Sequence, residues 1–354
     1  MSGTVTSEAL SWGILGTGRI AREFAAALAR TEGARLAAVA SRSAAAPAAP
    51  AFTGARFHAG YEALLADPSV EIVYIATPHP THAEWAIKAA QAGKHILCEK
   101  PIGMNAAEAK AIIDAARRHD VFLMEAFMYR CHPQTQKLVE LVRSGAIGDI
   151  HLIQATFGYS QPFDRQSPKF SPALGGGGIL DVGCYCASMA RLIAGVVAGK
   201  PYAEPLKVQG AGHLGETGID EWAVAILEFP GGLIAQLSTG VALAQDNVVR
   251  LYGAKGRIEL ASPWFCSGRQ GGTSEITVRD AGGTIQAIPI RTDDWLYAIE
   301  AAHVAAHLAD RQASWPAPDW ADTLGNMRTL DAWRRAIGLE YDADAVGGRG
   351  SGGG

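Results

Sequence analysis

From residue 10 to residue 126 short apolar runs alternate with stretches of helical periodicity. The pattern predicts strands at 10–15, 35–40, 71–76, 95–98 and 121–125, with helices at 20–30, 81–92 and 106–119 between them. Strands that are apolar throughout and joined by helices form a parallel sheet covered on both faces. Segment 43–54 stands where a further crossover helix belongs, yet it carries Pro47 and Pro50. A proline inside a helix costs ~3 kcal/mol, so a short or irregular connection is expected there.

Beyond residue 127 the pattern changes. A helix over 133–144 runs into Gly145 and Gly148. Strand-like runs follow at 150–157, 206–211, 221–229, 233–239, 248–252, 257–260, 275–279 and 284–290. Gly231-Gly232 between two of them is a hairpin signal. Successive strands joined by short turns predict an antiparallel sheet, closed off by helices at 294–309 and 320–337. The chain therefore divides into an α/β domain over 1–126 and an α+β domain over 127–346, with the helix near 320–339 a candidate to pack back on the first. Segment 347–354 is Gly-rich, lacks an apolar anchor and is expected to be disordered.

Composition narrows the functional classes. The 354 residues carry a net charge of -4, with 48% apolar and 19% charged residues. A soluble globular protein is expected, without general attraction to nucleic acid or anionic membrane. No uninterrupted apolar run reaches the ~18 residues of a membrane span. Residues 1–8 are polar and lack basic residues, unlike a secretory or transit peptide. Five cysteines over this length do not make a disulfide framework, so reducing cytoplasm is the expected setting. Cys184 and Cys186 have no further ligands at zinc spacing, and no metal is expected.

Four motifs carry chemistry. Gly16-Thr17-Gly18-Arg19-Ile20-Ala21 follows the first strand and opens the first helix. In that context Gly16 permits the tight turn, Gly18 lets a pyrophosphate reach the backbone, and Ala21 lets helix and strand pack closely. The helix N-terminus then offers N–H groups and a positive dipole end to phosphates. The second strand ends in Ser41-Arg42-Ser43, without the acid that binds the ribose 2′-hydroxyl of NAD. Ser41 and Arg42 suit a 2′-phosphate instead, so NADP is preferred over NAD. Cys98-Glu99-Lys100-Pro101 closes a buried strand at the end where open α/β sheets bind ligands. Lys100 there can hold a cation beside a reacting oxygen. Finally, Gly175 to Gly178 precede Asp181 and Tyr185, a carboxylate and a phenol four residues apart. On a regular helix they would share one face.

Gly16 to Ala21, Thr77-Pro78, Ala92 to Pro101 and Gly175 to Tyr185, in this order, resemble the glucose-fructose oxidoreductase, inositol dehydrogenase and MocA family over roughly residues 10 to 340. The resemblance implies a Rossmann domain followed by an α+β domain with a large open, mainly antiparallel sheet. It places Lys100, Asp181 and the residue four positions later in the site. That residue is often histidine; here it is Tyr185. Asp181 to Cys186 and Met124 to Arg130 look most like the NADP-dependent D-xylose dehydrogenases and dimeric dihydrodiol dehydrogenases. Thr77, Pro78, His82 and Glu99 are thereby placed near the nicotinamide ribose; Arg130 and His132 follow another strand end, a position from which contact with cofactor or substrate is expected.

The expected activity is hydride transfer between nicotinamide and a CH–OH or C=O carbon of a sugar or cyclic diol. Reduction of a ketosugar is the close rival, and a metabolite sensor the non-enzymatic one. Tyr185, its pKa lowered by Lys100, is one candidate proton carrier and Lys100 itself the other; Asp181 fixes a substrate hydroxyl or the lysine. Tyr159, Phe163 and Asp164 lie in a loop of the kind that shapes substrate pockets. His303 and His307 share a helix face without the acid of a metal motif. An open sheet face calls for a covering partner, so a homodimer or homotetramer is expected.

Overall fold

The computed structural model describes residues 9–43, 45 and 49–347. The first domain runs β1 (Leu10–Leu15), α1 (Arg19–Leu28), β2 (Ala34–Ser41), β3 (Arg56–Ala59), α2 (Tyr61–Leu65), β4 (Ile72–Ile75), α3 (His82–Gln91), β5 (His95–Glu99), α4 (Ala106–Arg118) and β6 (Leu123–Ala126). Its six strands are all parallel, in the order β3-β2-β1-β4-β5-β6. This is the doubly wound Rossmann order, which reverses between β1 and β4 and opens its crevice at their C-terminal ends. The central strands are apolar because helices cover both faces: Ile72 to Ile75 are wholly buried. Pattern reading passed over β3 and α2. The edge strand is only Arg-Phe-His-Ala and half exposed, so it carries little apolar signal. In the proline-bearing connection, Pro50 opens a single 3₁₀ turn, while Pro47 lies outside the described residues.

The second domain runs α5 (Met128–Cys131), α6 (Pro133–Arg143), β7 (Ile150–Gly158), α7 (Cys184–Val197), β8 (Lys207–Leu214), β9 (Asp220–Glu228), β10 (Ile234–Gly240), β11 (Val249–Gly253), β12 (Gly256–Leu260), β13 (Gly272–Asp280), β14 (Ile285–Thr292), α8 (Leu296–His307), α9 (Trp320–Ala336) and α10 (Asp342–Gly347). Eight strands form one open sheet in the order β14-β13-β12-β11-β7-β10-β9-β8. The expectation of antiparallel pairing holds with one correction: β7 and β10 lie parallel. β7 departs toward the glycine run and α7 rather than into a hairpin, and β10 enters beside it only after β8 and β9. Alternation along β9 and β10 turns Ala223, Ala225, Ala235 and Leu237 to the core. The opposite face leaves Trp222, Val224 and Ile234 exposed. The segment Pro172–Val197 has the length and hydropathy of a membrane span, but its apolar window is wholly buried, as a core helix requires. The tail from residue 348 lies outside the described residues.

α9 packs against α4 and β6 of the first domain and against α7 and β8 of the second. It also carries Asp322 into a buried ionic cluster. Asp322 Oδ2 takes Arg130 Nη2 at 2.8 Å, and Oδ1 takes Arg191 Nη2 at 3.1 Å. Arg130 also donates to Ser188 Oγ at 2.8 Å, and Arg191 meets Glu204 at 2.5 Å. Both guanidiniums are fully buried. Removing their shared carboxylate leaves Arg130 without an ionic partner and Arg191 with Glu204 alone, away from water, which costs several kcal/mol. Asp322→Ala is therefore expected to destabilise the fold by ~3–5 kcal/mol, read as a fall in the midpoint of thermal or urea unfolding. A variant that unfolds like the parent would show that the cluster is not holding α5, α7 and α9 together.

Candidate active site

The glycine motif sits where β1 turns into α1. Gly16 has φ +105°, and a Cβ there would lie 2.6 Å from the carbonyl oxygen of Ala76. Any side chain would strain the backbone and push β4 away. Gly18 faces open space and caps α1 without any side chain across its amides. Thr17 is half-buried, Arg19 is exposed and pairs with Glu23, and Ile20 packs on the core. Free amides at a helix start, reached over bare backbone, fit a dinucleotide pyrophosphate. At the end of β2 the Ser41 hydroxyl binds its own turn, accepting from Ser43 N at 3.0 Å, and Arg42 is exposed beside the Tyr61 phenol.

Two expected cofactor contacts are placed elsewhere. His82 is fully buried, with its ring nitrogens 2.8 Å from the carbonyl oxygens of Thr77 and Pro101. It clamps the loop after β4 to the loop after β5 and presents nothing to the crevice. Arg130 is enclosed by Asp322, Ser188 and Pro316. Thr77 is buried and bonded through its hydroxyl to Thr81, whereas Pro78 is exposed at the crevice. Glu99 ends β5 and accepts a hydrogen bond from the Tyr74 phenol.

Asp181 is the centre of the second half. The four glycines carry the chain through two left-handed positions, Gly175 (φ +69°) and Gly177 (φ +112°). At Gly177 a Cβ would collide with Asp220. Asp220, buried and pushed up to about 7 chiefly by burial, accepts from Ile179 N at 2.7 Å and so fixes the turn. Residues Ile179–Gly183 then form a π-helical turn before α7 begins at Cys184. The i→i+5 repeat undoes the expected one-face pairing of Asp181 and Tyr185, and such turns gather at functional sites.

The two side chains accordingly do different things. The Asp181 carboxylate receives Lys169 Nζ on Oδ1 at 2.7 Å and the Tyr159 phenol on Oδ2, with Lys100 Nζ 3.7 Å from Oδ1. Lys100 Nζ donates to the main-chain oxygen of Asp181 at 2.7 Å. Burial alone would raise the Asp181 carboxyl, but Lys169 and Lys100 outweigh it and hold it well below the usual carboxylate range. Burial acts to lower Lys100, and the Asp181 carboxylate reverses this, so the ammonium is held above its ordinary value. Tyr185 instead lies in an aromatic nest of Phe127, Tyr129, Phe157 and Trp264. Its hydroxyl faces Met128 Sδ at 3.4 Å, and Lys100 Nζ stands over its ring, 5.2 Å from the centroid. The expected contact between ammonium and phenol oxygen is not made, and burial pushes the Tyr185 phenol upward.

Three groups beside the site were not assigned roles by pattern. Tyr159 leaves the end of β7, Lys169 comes from the loop before the glycines, and His79 follows β4. Burial lowers His79 to about 3 and keeps it neutral, with Nδ1 3.3 Å from the carbonyl of Gly175. The sequence places Tyr159 only in a pocket-shaping loop; for Lys169 the available signal is its setting between prolines, Ser167-Pro168-Lys169-Phe170-Ser171-Pro172. Glu125 accepts from Ile102 N at 2.9 Å behind Lys100, and burial raises it to about 8. His307, away from the site, meets Asp310 and Ser314.

Residues 10–127 match the model of an oxidoreductase family with an NAD-binding Rossmann fold, and residues 135–259 match the GFO/IDH/MocA C-terminal domain. Trans-1,2-dihydrobenzene-1,2-diol dehydrogenase of Bos taurus is 34% identical over 347 residues, 95% of this chain and 99% of the relative. The 3-ketoreductase KijD10 of Actinomadura kijaniata, solved with NADP and TDP-benzene, superposes with a TM-score of 0.82 at 26% identity, covering 93% of this chain and 98% of KijD10. Aldose-aldose oxidoreductase of Caulobacter crescentus, solved with glycerol, gives 0.78 at 25% identity over 92% and 97% of the two chains. A Rossmann domain with open phosphate amides, a lysine at the end of β5 bonded to the aspartate of the second domain, and relatives along its whole length lead to one assignment: the chain belongs to the Gfo/Idh/MocA family of NAD(P)-dependent oxidoreductases.

Proposed function

We propose that this enzyme transfers hydride between NADP and a carbon bearing a hydroxyl or carbonyl in a sugar or cyclic diol, with Lys100 as proton carrier. The observation that carries the reading is the Lys100 ammonium, bonded to Asp181 O and beside the Asp181 carboxylate, at the strand end where the nicotinamide half of the cofactor belongs. The bound nicotinamide supplies the hydride acceptor or donor. In reduction Lys100 Nζ donates a proton to the carbonyl oxygen. In oxidation the neutral amine takes the hydroxyl proton. Asp181, kept ionised, accepts a hydrogen bond from a neighbouring substrate hydroxyl, and Lys169 and Tyr159 hold its oxygens in place. A vicinal polyol or diol supplies this second hydroxyl. The relatives point the same way: one is named for a dihydrodiol and another for aldoses. Tyr185 shapes the apolar wall and polarises nothing through its oxygen, which favours Lys100 over the phenol.

In this reading residues 1–126 bind the dinucleotide, with Gly16 to Ile20, Thr77, Pro78 and Glu99 around it and Ser41 and Arg42 at the 2′-phosphate. Residues 127–346 hold the substrate and form the interface of a homodimer or homotetramer, favoured by the exposed Trp222, Val224 and Ile234 face. All five cysteines are free and buried thiols, in keeping with a cytoplasmic setting.

Lys100→Met is expected to lower kcat by ~10²–10⁴-fold in both directions, whereas Tyr185→Phe stays near the parent. The outcome reversed between the two variants would transfer the proton to the phenol. Because the Lys100 pKa is raised, reduction holds through neutral pH and falls only as the ammonium deprotonates; kcat/KM for oxidation climbs with pH towards the same limit. A flat oxidation profile would remove lysine as the base. A panel of aldoses, inositols and trans-dihydrodiols, followed by nicotinamide absorbance, identifies the substrate class. No turnover anywhere in it would favour a sensor.

Arg42→Ala is expected to cut kcat/KM with NADP by roughly tenfold to a hundredfold, the worth of a charge-assisted bond, while NAD is little affected. Equal losses with both cofactors would mean that Arg42 does not read the 2′-phosphate.

A further inference from the structure

Glu300, on α8, is fully buried, and neither of its carboxyl oxygens has a hydrogen-bond partner. A buried polar group without a partner calls for a cause, and cofactor chemistry is one of the few that supply it. Burial, with Glu99 adding to it, pushes Glu300 well above the usual carboxylate range. Glu99 is itself raised, chiefly by burial and against the pull of Lys100. It is only half-buried and stands at the C-terminal end of β5, the end at which such sheets bind ligands.

Among the described residues no cation is paired with Glu300: Arg130 acts on Cys131 but is bonded to Asp322, and His303 on the same helix is lowered to about 4 by burial. From β4 comes Tyr74, from α5 Cys131, from α7 Tyr185 and from α8 itself Tyr297, each a neutral acid raised first by burial. Glu23 of α1 and Arg269 act on Tyr297 and are paired with each other at 3.3 Å. Lys100 and Asp181 act on Glu99 from the crevice side. The cluster thus sets an unpartnered, buried Glu300 beside Glu99, which ends β5 and is itself raised by burial. That end adjoins the crevice in which the nicotinamide half of the dinucleotide lies, given the pyrophosphate site on α1.

We propose that Glu300 and Glu99 exchange a proton with solvent according to the redox state of the cofactor: binding of NADP⁺ expels a proton from the pair, and binding of NADPH does not. The oxidised nicotinamide carries a positive charge and the reduced ring is neutral. A cation brought beside a protonated carboxyl favours its ionised form. By linkage, NADP⁺ must then bind more tightly as pH rises across the window between the pair's bound and free pKa values, while NADPH affinity stays level there. Glu300 would be a positioning residue for the ring's charge, acting through Glu99. The proposal rests on the dinucleotide reading above.

The test is calorimetric titration of the whole enzyme with NADP⁺ and with NADPH near neutral pH, in buffers of different ionisation enthalpy. The slope of the heat against that enthalpy counts protons. Both nucleotides carry the same 2′-phosphate, so its own protonation cancels in the difference. The expected result is release of up to one proton per NADP⁺ beyond NADPH. The NADP⁺ Kd should tighten by up to tenfold per pH unit. Glu300→Gln should abolish the excess proton and flatten the NADP⁺ profile without changing the NADPH Kd. Glu99→Gln should diminish the excess and serves if the first variant does not fold. Equal proton counts for the two nucleotides in the parent enzyme overturn the proposal, as does an undiminished excess in Glu300→Gln. A protein that binds neither nucleotide overturns the dinucleotide reading and this proposal with it.

Discussion

The hydrogen bond from Lys100 Nζ to the main-chain oxygen of Asp181, 2.7 Å long, joins the two halves of the site. One partner stands at the end of a strand in the parallel sheet. The other stands in a π-helical turn of the second domain, 81 residues on. In the proposed reaction neither half suffices alone. The Rossmann domain supplies the phosphate amides and the ammonium; the second domain supplies the carboxylate that keeps this ammonium charged. The rest of the fold serves to hold these ends in register. α9 packs on both domains. The Arg130–Asp322–Arg191 cluster ties it to α5 and α7 from beneath, and His82 fixes the two loops that frame Lys100.

What could be read in advance follows from how local each signal is. The strand–helix alternation and the Gly16 motif are consecutive in the chain, and they fix the sheet, its crevice and the phosphate site. Glu99, Lys100 and Asp181 were visible because a strand end and a glycine run mark them. Lys169 was hidden, and of Tyr159 only its place in a pocket-shaping loop was visible, since nothing in a loop sequence says which side chain turns back to a carboxylate 22 or 12 residues later. The π turn was hidden too. A single extra residue per turn leaves no mark on composition, yet it separates Asp181 from Tyr185 and sends the phenol into the aromatic nest. His82 and Arg130 show the reverse error. Both look chemical in the chain, but buried polar side chains are more often placed to satisfy carbonyls and carboxylates than to meet a ligand. The parallel β7–β10 pair escaped because hairpin logic assumes that neighbours in sequence are neighbours in space.

The distribution of charge sharpens the picture. Of the acids around Lys100, Asp181 is the one held below the usual carboxylate range, and it has two lysines and a phenol to stabilise it. Glu99, Glu125 and Glu300 are all raised by burial, and Asp220 likewise. Had these acids been ionised without partners, the desolvation cost would have opposed folding. Had they been apolar, the pocket would have no response to a charge introduced from outside. Carboxyls whose burial favours the protonated form lessen the first and keep the second. They are inert while the ring is uncharged and can ionise when a cation is brought against them. A reaction whose substrate and product cofactors differ by one charge at a fixed position is the setting in which such groups matter. For that reason the unpartnered Glu300 is better understood as part of the cofactor's electrostatic environment than as a packing fault in α8.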